Sequence, residues 1–236
     1  MSKPVALIFG AGPKVGAAVV NAFTNEGYAV AIASRSANDA EHPDAQGLLS
    51  VKADLAKTED VKRAFERTKI KLGTPSVVIH NASTAQFLDA ADPLGPKFDV
   101  ATFAASELGV NAVSVALAAQ LAVQGFATLP ASASKTFIYT GNGLSSYITT
   151  APVITGANAG KSAAATLIAN WAAAYKDKGY KFYYADERTD EGGLRWKGTT
   201  GPAAAKWYVE LSKNPKQLEP IFTFTHDKGY VKFDKW

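Results

Sequence analysis

Between Pro4 and Ser36 the chain reads as an apolar strand, a glycine turn, a helix and a second apolar strand. The turn carries Gly10, Gly12 and Gly16, with Val15 opening the helix. Each glycine has its own use there. Gly10 allows the sharp turn, Gly12 lets backbone come close to a phosphate, and Gly16 lets the helix pack tightly. The helix start would offer free N–H groups and a positive dipole end to a pyrophosphate. A unit of this kind commits a chain to parallel strands joined by right-handed crossovers, and it predicts a bound dinucleotide.

The remaining pattern continues the alternation. Strands are expected over 5–10, 29–34, 48–53, 76–80, 136–140, 181–185 and 221–224. Helices are expected over 15–26, 58–71, 98–125, 153–178 and 202–212. The early strands are nearly continuous apolar runs, as required when a parallel sheet is covered on both faces. The expected fold class is α/β: a single doubly wound Rossmann-type domain over residues 1–236, its mainly parallel seven-stranded sheet flanked by helices. Three irregular stretches, 82–97, 141–152 and 186–201, begin at the carboxyl ends of strands, where open α/β sheets hold ligands.

Composition removes several function classes. Hydrophobic residues make up 47% and charged residues 19% of the 236, which excludes a disordered chain. No uninterrupted apolar run reaches the roughly 18 residues of a spanning helix, and Met-Ser-Lys-Pro leads straight into a strand, so neither membrane nor secretion is expected. With no cysteine, disulfides and thiolate metal sites are excluded, and the chain suits the cytoplasm. Three scattered histidines, His42, His80 and His226, predict no metal. A net charge of +4 with no basic block predicts no nucleic acid. The expected partner is a small-molecule substrate.

Charge also predicts which dinucleotide. An NAD site places an acid near the end of the second strand to hold the ribose hydroxyls. Here that stretch is Ala33-Ser34-Arg35-Ser36, with no acid before Asp39. Ser34 and Arg35 would hold a 2′-phosphate and Lys14 would add a second positive charge, so the expected cofactor is NADP(H).

These features, with Asp54-Leu55 after the third strand and Asn81-Ala82-Ser83 after the fourth, resemble the short-chain dehydrogenase/reductase family over nearly the whole chain. Segments 134–142 and 175–186 resemble an atypical fungal branch of that family. The resemblance implies that Asp54 meets adenine, that Asn81 supports the central strand beside the cofactor, and that Asn111 is the active-site asparagine. Lys14 stands where the family has its middle glycine, His80 replaces a second asparagine, and Ser83 replaces a glycine.

At the expected reaction centre the resemblance fails. The family's general acid is a tyrosine four residues before a lysine, but here the helix reads Ala157-Asn-Ala-Gly-Lys161. Lys161 is expected to grip the nicotinamide ribose. Alanine has no proton to give, although it shares a helix face with Lys161. Gly156 and Gly160 are expected to leave room beside it. The family's serine falls at Asn142, with Ser145 and Ser146 as alternatives. Tyr147, then Tyr183, Tyr184 and Asp186, are candidate proton donors. The family's Pro-Gly turn after the sixth strand is replaced by Ala185-Asp-Glu-Arg-Thr189.

The segment Gly156-Ala-Asn-Ala-Gly-Lys-Ser162 is no P-loop, since three residues rather than four separate its glycines. The helix from Ala157 carries small apolar residues around much of its circumference. That predicts burial on more than one side: one side would cover the sheet, and the other either belongs to the core or, as the family resemblance implies, meets a partner subunit of a homodimer or homotetramer. Three functions fit: an NADPH-dependent oxidoreductase with an altered proton donor, a non-redox catalyst using the same pocket, or a dinucleotide-binding regulator without turnover.

Overall fold

The computed structural model describes residues 3–145, 151–195 and 200–233. Its sheet has eight strands in the order β3-β2-β1-β4-β5-β6-β7-β8. They are β1 (Val5–Phe9), β2 (Ala29–Ser34), β3 (Leu48–Lys52), β4 (Val77–His80), β5 (Thr136–Thr140), β6 (Lys181–Arg188), β7 (Ile221–Thr225) and β8 (Gly229–Tyr230). The first seven are parallel, and β8 is antiparallel to β7. The eighth strand corrects the expected count. At two residues it is too short to carry an alternating signal.

Alternate strand residues face opposite layers, so each strand is apolar on both sides. Leu7 and Phe9 join one core cluster with Phe137, Tyr139 and Tyr184, while Ala6 and Ile8 join another with Tyr183 and Phe222. Helices α1 (Val15–Asn25) and α6 (Gly201–Lys213) cover the second cluster. The first is covered by α2 (Thr58–Lys71), α4 (Ser114–Phe126) and α5 (Thr155–Tyr175).

Three differences from expectation bear on the site. The helix expected over 98–125 spans Val100–Phe126. It consists of a short α3 (Val100–Thr102), a π-helical stretch from Phe103 to Val113, and α4. Ser114 N–H reaches back five residues to Gly109 O, and such widened turns gather at functional sites. By length and composition this is the one described helix apolar enough to cross a membrane. Counting uninterrupted apolar residues missed it, because Ser114 and Gln120 break the run. Of its most apolar stretch, 39% is buried within the chain, in the layer over the sheet.

Second, β6 runs three residues past its expected end. Asp186, Glu187 and Arg188 pair with Thr223, Phe224 and Thr225 of β7. Three successive charges read as a loop, yet all three are buried. Third, α5 buries a single stripe: Gly156, Ala157, Gly160, Lys161, Ala164, Ala165, Ile168 and Ala172. Within one chain its other face, with Ala159, Ala163, Ala173 and Ala174, is exposed.

Candidate functional site

The sheet order reverses between β1 and β4, and a cleft of about 600 Å³ opens at the carboxyl ends of these strands. Gly10, Gly12, Ser34, Arg35, Asp54, Leu55, Asn81 and Ala82 all line it. The glycine turn is required by contact. Gly10 has φ +85°, and a Cβ there would lie 2.5 Å from Ala82 N. A Cβ on Gly12 would meet no atom within 4 Å, which leaves that backbone open to a ligand. Val15 and Gly16 are buried behind the cleft, at the start of α1.

A hydrogen-bond chain holds the turn. Asn81 Nδ2 donates to Gly10 O at 2.6 Å, Thr140 Oγ1 donates to Asn81 Oδ1 at 2.9 Å, and Tyr208 OH donates to Thr140 Oγ1 at 2.8 Å. The turn is thereby tied through β4 and β5 to α6. On the opposite wall, Asp54 N–H donates to Asp60 Oδ2 at 2.8 Å and Asp54 Oδ1 accepts from Ala56 N–H at 3.2 Å. Arg35 is exposed at the end of β2, and among the described residues no carboxylate pairs with its guanidinium. Lys14 is exposed at the N-cap of α1 and does not line the cleft.

Beyond Asn81 the character changes. Asn111 is fully buried. Its Oδ1 accepts from Ser83 Oγ at 3.0 Å and Thr84 N–H at 3.2 Å, its Nδ2 donates to Thr84 O, and its backbone oxygen accepts from Tyr139 OH at 3.2 Å. Asn142 folds back on itself, with Oδ1 accepting from Leu144 N–H while its backbone exchanges hydrogen bonds with Tyr184 OH. Tyr147 and Ser146 lie outside the described residues. Lys161 is only 3% exposed. Its Nζ donates to Thr140 O at 2.8 Å and stands 4.2 Å from the centre of the Tyr139 ring. Burial lowers its pKa to about 7, with the Asp186 charge pulling upward. None of Asn111, Asn142 and Lys161 lines the cleft as it stands.

The room expected beside Ala157 is taken. Ala157 packs in a small apolar cluster with Leu144 and Ile154, and Ala151 and Leu194 close it. A Cβ at Gly156 would overlap the Glu107 carboxyl, and one at Gly160 would lie 2.6 Å from Asn111 Cβ. The two glycines admit the π-helical stretch against α5 instead of leaving space for a ring.

The structure adds Glu107 and Glu187, which sequence reasoning passed over, and gives Asp186 and His80 their surroundings. Glu107 is buried one helical turn before Asn111; its Oε1 accepts from Gln86 N–H at 2.8 Å, and its Oε2 has no partner among the described residues. Asp186 Oδ2 accepts from Arg188 Nε at 2.5 Å, while Asp186 Oδ1 has no hydrogen-bond partner among the described residues. Burial raises Asp186 to about 6, against the pull of Arg188. Glu187 faces the other layer, taking Thr200 Oγ1 at 2.8 Å and Arg195 Nε at 3.2 Å. The one signal available was the replaced Pro-Gly turn. His80 is buried with its Nε2 2.8 Å from Ser114 Oγ, and burial, assisted by Lys161, lowers its pKa to about 3.

The family model for short chain dehydrogenases matches residues 4–182. The chain is 39% identical to the short chain dehydrogenase/reductase dmxR12 of Cryptosporiopsis sp. (strain 8999), an alignment that covers 99% of this chain and 96% of that one. This protein therefore belongs to the short-chain dehydrogenase/reductase family, whose members bind a nicotinamide dinucleotide. Among solved structures it is similar to an alcohol dehydrogenase from the archaeon Thermococcus sibiricus complexed with 5-hydroxy-NADP, at TM-score 0.73 and 20% identity over 99% of this chain and 100% of that one. It is similar also to an NADPH-bound short chain oxidoreductase from Pseudomonas aeruginosa PAO1 containing an atypical catalytic center, at TM-score 0.73 and 15% identity over 96% and 98% of the two chains.

Proposed function

We propose that this protein is an NADPH-dependent oxidoreductase that reduces a carbonyl or imine group of a small molecule without the family's tyrosine. The observation that carries the reading is the end of β2. Ser34 and Arg35 stand on the cleft wall beside the glycine turn, where an acid would select NAD. The exposed guanidinium suits a 2′-phosphate, which it can grip with two parallel hydrogen bonds. The two neighbours described as NADP and NADPH complexes support the same choice.

The residues that line the cleft suit the adenine and pyrophosphate end of such a ligand. The α1 start and Gly12 would hold the pyrophosphate, Asp54 and Leu55 the adenine, and Asn81 with Ala82 the middle. Lys161 would hold the second ribose, and Asn111 and Asn142 the space beside it. When bound, the reduced dinucleotide supplies a hydride. The accompanying proton would come from the residues around Lys161 or through water.

The filled space around Ala157 favours a second reading, a dinucleotide-binding regulator without turnover. Following NADPH oxidation against a panel of aldehydes, ketones and cyclic imines separates the two. Oxidation with any member supports the reductase. Tight NADPH binding with no oxidation across the panel supports the regulator.

We also propose a homodimer, built from the exposed small-residue face of α5 and the shallow groove of about 280 Å³ that Ala116, Gln120 and Trp171 line between α4 and α5. Sedimentation of Ala163→Glu should show a monomer if this face is the interface.

A further inference from the structure

Ala157 has no proton to give, which leaves the site without the family's acid. We propose that Lys161 is the acid instead and that Asp186 is the positioning residue that keeps it charged. This rests on the reductase reading above.

The two side chains come from different elements. Lys161 reaches from α5 over the end of β5, and the register pairs Thr140 with Ala185, which places Asp186 one residue further along β6. Asp186 shares a face of β6 with Tyr184, whose ring lies 5.6 Å from that of Tyr139 in the layer that α5 covers. Lys161 uses one donor on Thr140 O, and an ammonium has three. Asp186 uses Oδ2 on Arg188, while Oδ1 is buried with no hydrogen-bond partner among the described residues. An ammonium with donors to spare and a carboxylate oxygen with capacity to spare therefore share one dry region, where charges act strongly on each other.

The surroundings set the direction of each proton. From β4, His80 is held neutral and would oppose a charged Lys161 if it took a proton. From β5, the Tyr139 ring face favours the cation. On β6, Arg188 competes with Lys161 for Asp186, and Glu187 adds a second negative charge. Tyr184 and, from α6, Tyr208 keep their protons, because burial raises both. Burial brings Lys161 down to about 7 and Asp186 up to about 6, so the pair changes state around neutral pH, where an acid catalyst works best.

The balance is simple. A Lys161 N–H bond breaks and leaves its electron pair on Nζ. An O–H or N–H bond forms on the substrate atom, which has received the electron pair of the opened double bond; the substrate carbon takes the hydride of the reductase reading. The amine then recovers a proton from water, and the Asp186 carboxylate stabilises the restored ammonium.

The test follows the Cε signal of Lys161 by NMR in the full chain without cofactor, using carbon-labelled lysine, with Lys161→Met to identify the signal. In the wild type it should titrate near 7; titration close to the ordinary value of 10.5 overturns the proposal before any variant is made. Asp186→Asn should move the titration down by about one unit or more, and Asp186→Glu should restore it. Arg188→Gln should move it up, because Asp186 then acts on Lys161 alone. If Asp186→Asn does not fold, the wild-type value and Arg188→Gln still decide. A titration that stays in place, or moves the same way in both variants, overturns the role of Asp186. The acid-to-base midpoint of NADPH-linked reduction should move with the NMR titration in each variant. If the NMR shifts have the expected signs but no carbonyl or imine is reduced at any pH, the reductase reading fails, Lys161 is no acid, and only the control by Asp186 stands.

Discussion

Along β1, β2 and β4 the cleft wall is glycine, backbone and small polar side chains, and it stands open. Beyond the cleft, around β5, β6 and α5, a closed wall is made of Lys161, Asp186, Arg188 and two tyrosines, all buried. The first wall follows from one local requirement. Gly10 must cross Ala82 in a left-handed turn, and once it does, the α1 start and Asn81 fall into place. The second wall depends on charges from α5 and β6 that compensate one another. A surface that binds phosphates can be made from backbone alone, whereas one that handles protons needs ionisable groups kept from water. The two walls should therefore respond to mutation in opposite ways, the first losing ligand and the second losing stability.

The sharpest break is at Asp186. Asp186→Ala leaves a buried guanidinium without its carboxylate and should cost about 3–5 kcal/mol in urea unfolding. Replacing both partners, Asp186→Leu with Arg188→Met, should restore most of it, since a buried ion pair is often no better than apolar residues of similar volume. A double variant as unstable as the single one would show that the pair is not the stabilising unit. Arg35→Ala, on the other wall, should leave the unfolding midpoint where it is.

That difference also governs what the sequence could reveal. The glycine turn, the absent acid after β2, Asp54 and Asn81 were all legible, because each acts through its own position in a repeating strand–helix pattern. The burial of Lys161 and Asn111 was not legible, because it depends on partners 21 and 27 residues away. The run Asp186-Glu187-Arg188 reads as loop because three charges in a strand are unfavourable alone. Pairing with β7, together with Arg188 on Asp186 and Thr200 and Arg195 on Glu187, makes it a strand. Glu107 gave no signal, since its burial arises from Gly156 on a different helix.

Next in size is the ligand effect at Arg35. Charge-assisted hydrogen bonds to phosphate are worth roughly 1.5–3 kcal/mol, so Arg35→Ala should weaken NADPH about tenfold or more and barely change NADH. Calorimetric titration of both cofactors checks this. Equal losses would mean that Arg35 does not meet the 2′-phosphate, and that the open wall has no cofactor preference of its own.

A pH experiment probes the closed wall without any ligand. His80 folds with its pKa depressed from 6.5 to about 3, so the unfolded chain binds the proton first as pH falls. Its stabilising contribution is complete above 6.5 and is lost on the way down towards 3. Asp186 has the opposite sign: raised from 3.8 to about 6, it contributes stability below 3.8 that is lost as pH rises through 6. Comparing wild type with His80→Asn cancels the Asp186 contribution. Between pH 7 and pH 5 the wild type should lose about 2 kcal/mol more than the variant. Parallel curves would place His80 in contact with water and reopen the description of that wall.

The smallest effect belongs to Lys14. Sequence spacing pairs it with Arg35 at the same phosphate; in the structure Arg35 lines the cleft, while Lys14 stands exposed at the N-cap position of α1 and does not line it. An exposed ammonium acts on an anion through solvent, as a screened charge without fixed hydrogen bonds. Lys14→Ala should therefore weaken NADPH less than about fivefold, and most of that loss should vanish when the ionic strength is raised. The Arg35→Ala loss should persist in salt, because a two-point contact to the phosphate is short and partly shielded. Titrating both variants at low and high salt compares the two residues directly. A loss at Lys14 as large as at Arg35, and equally resistant to salt, would mean that the glycine turn closes over the phosphate and that the open wall rearranges when it binds.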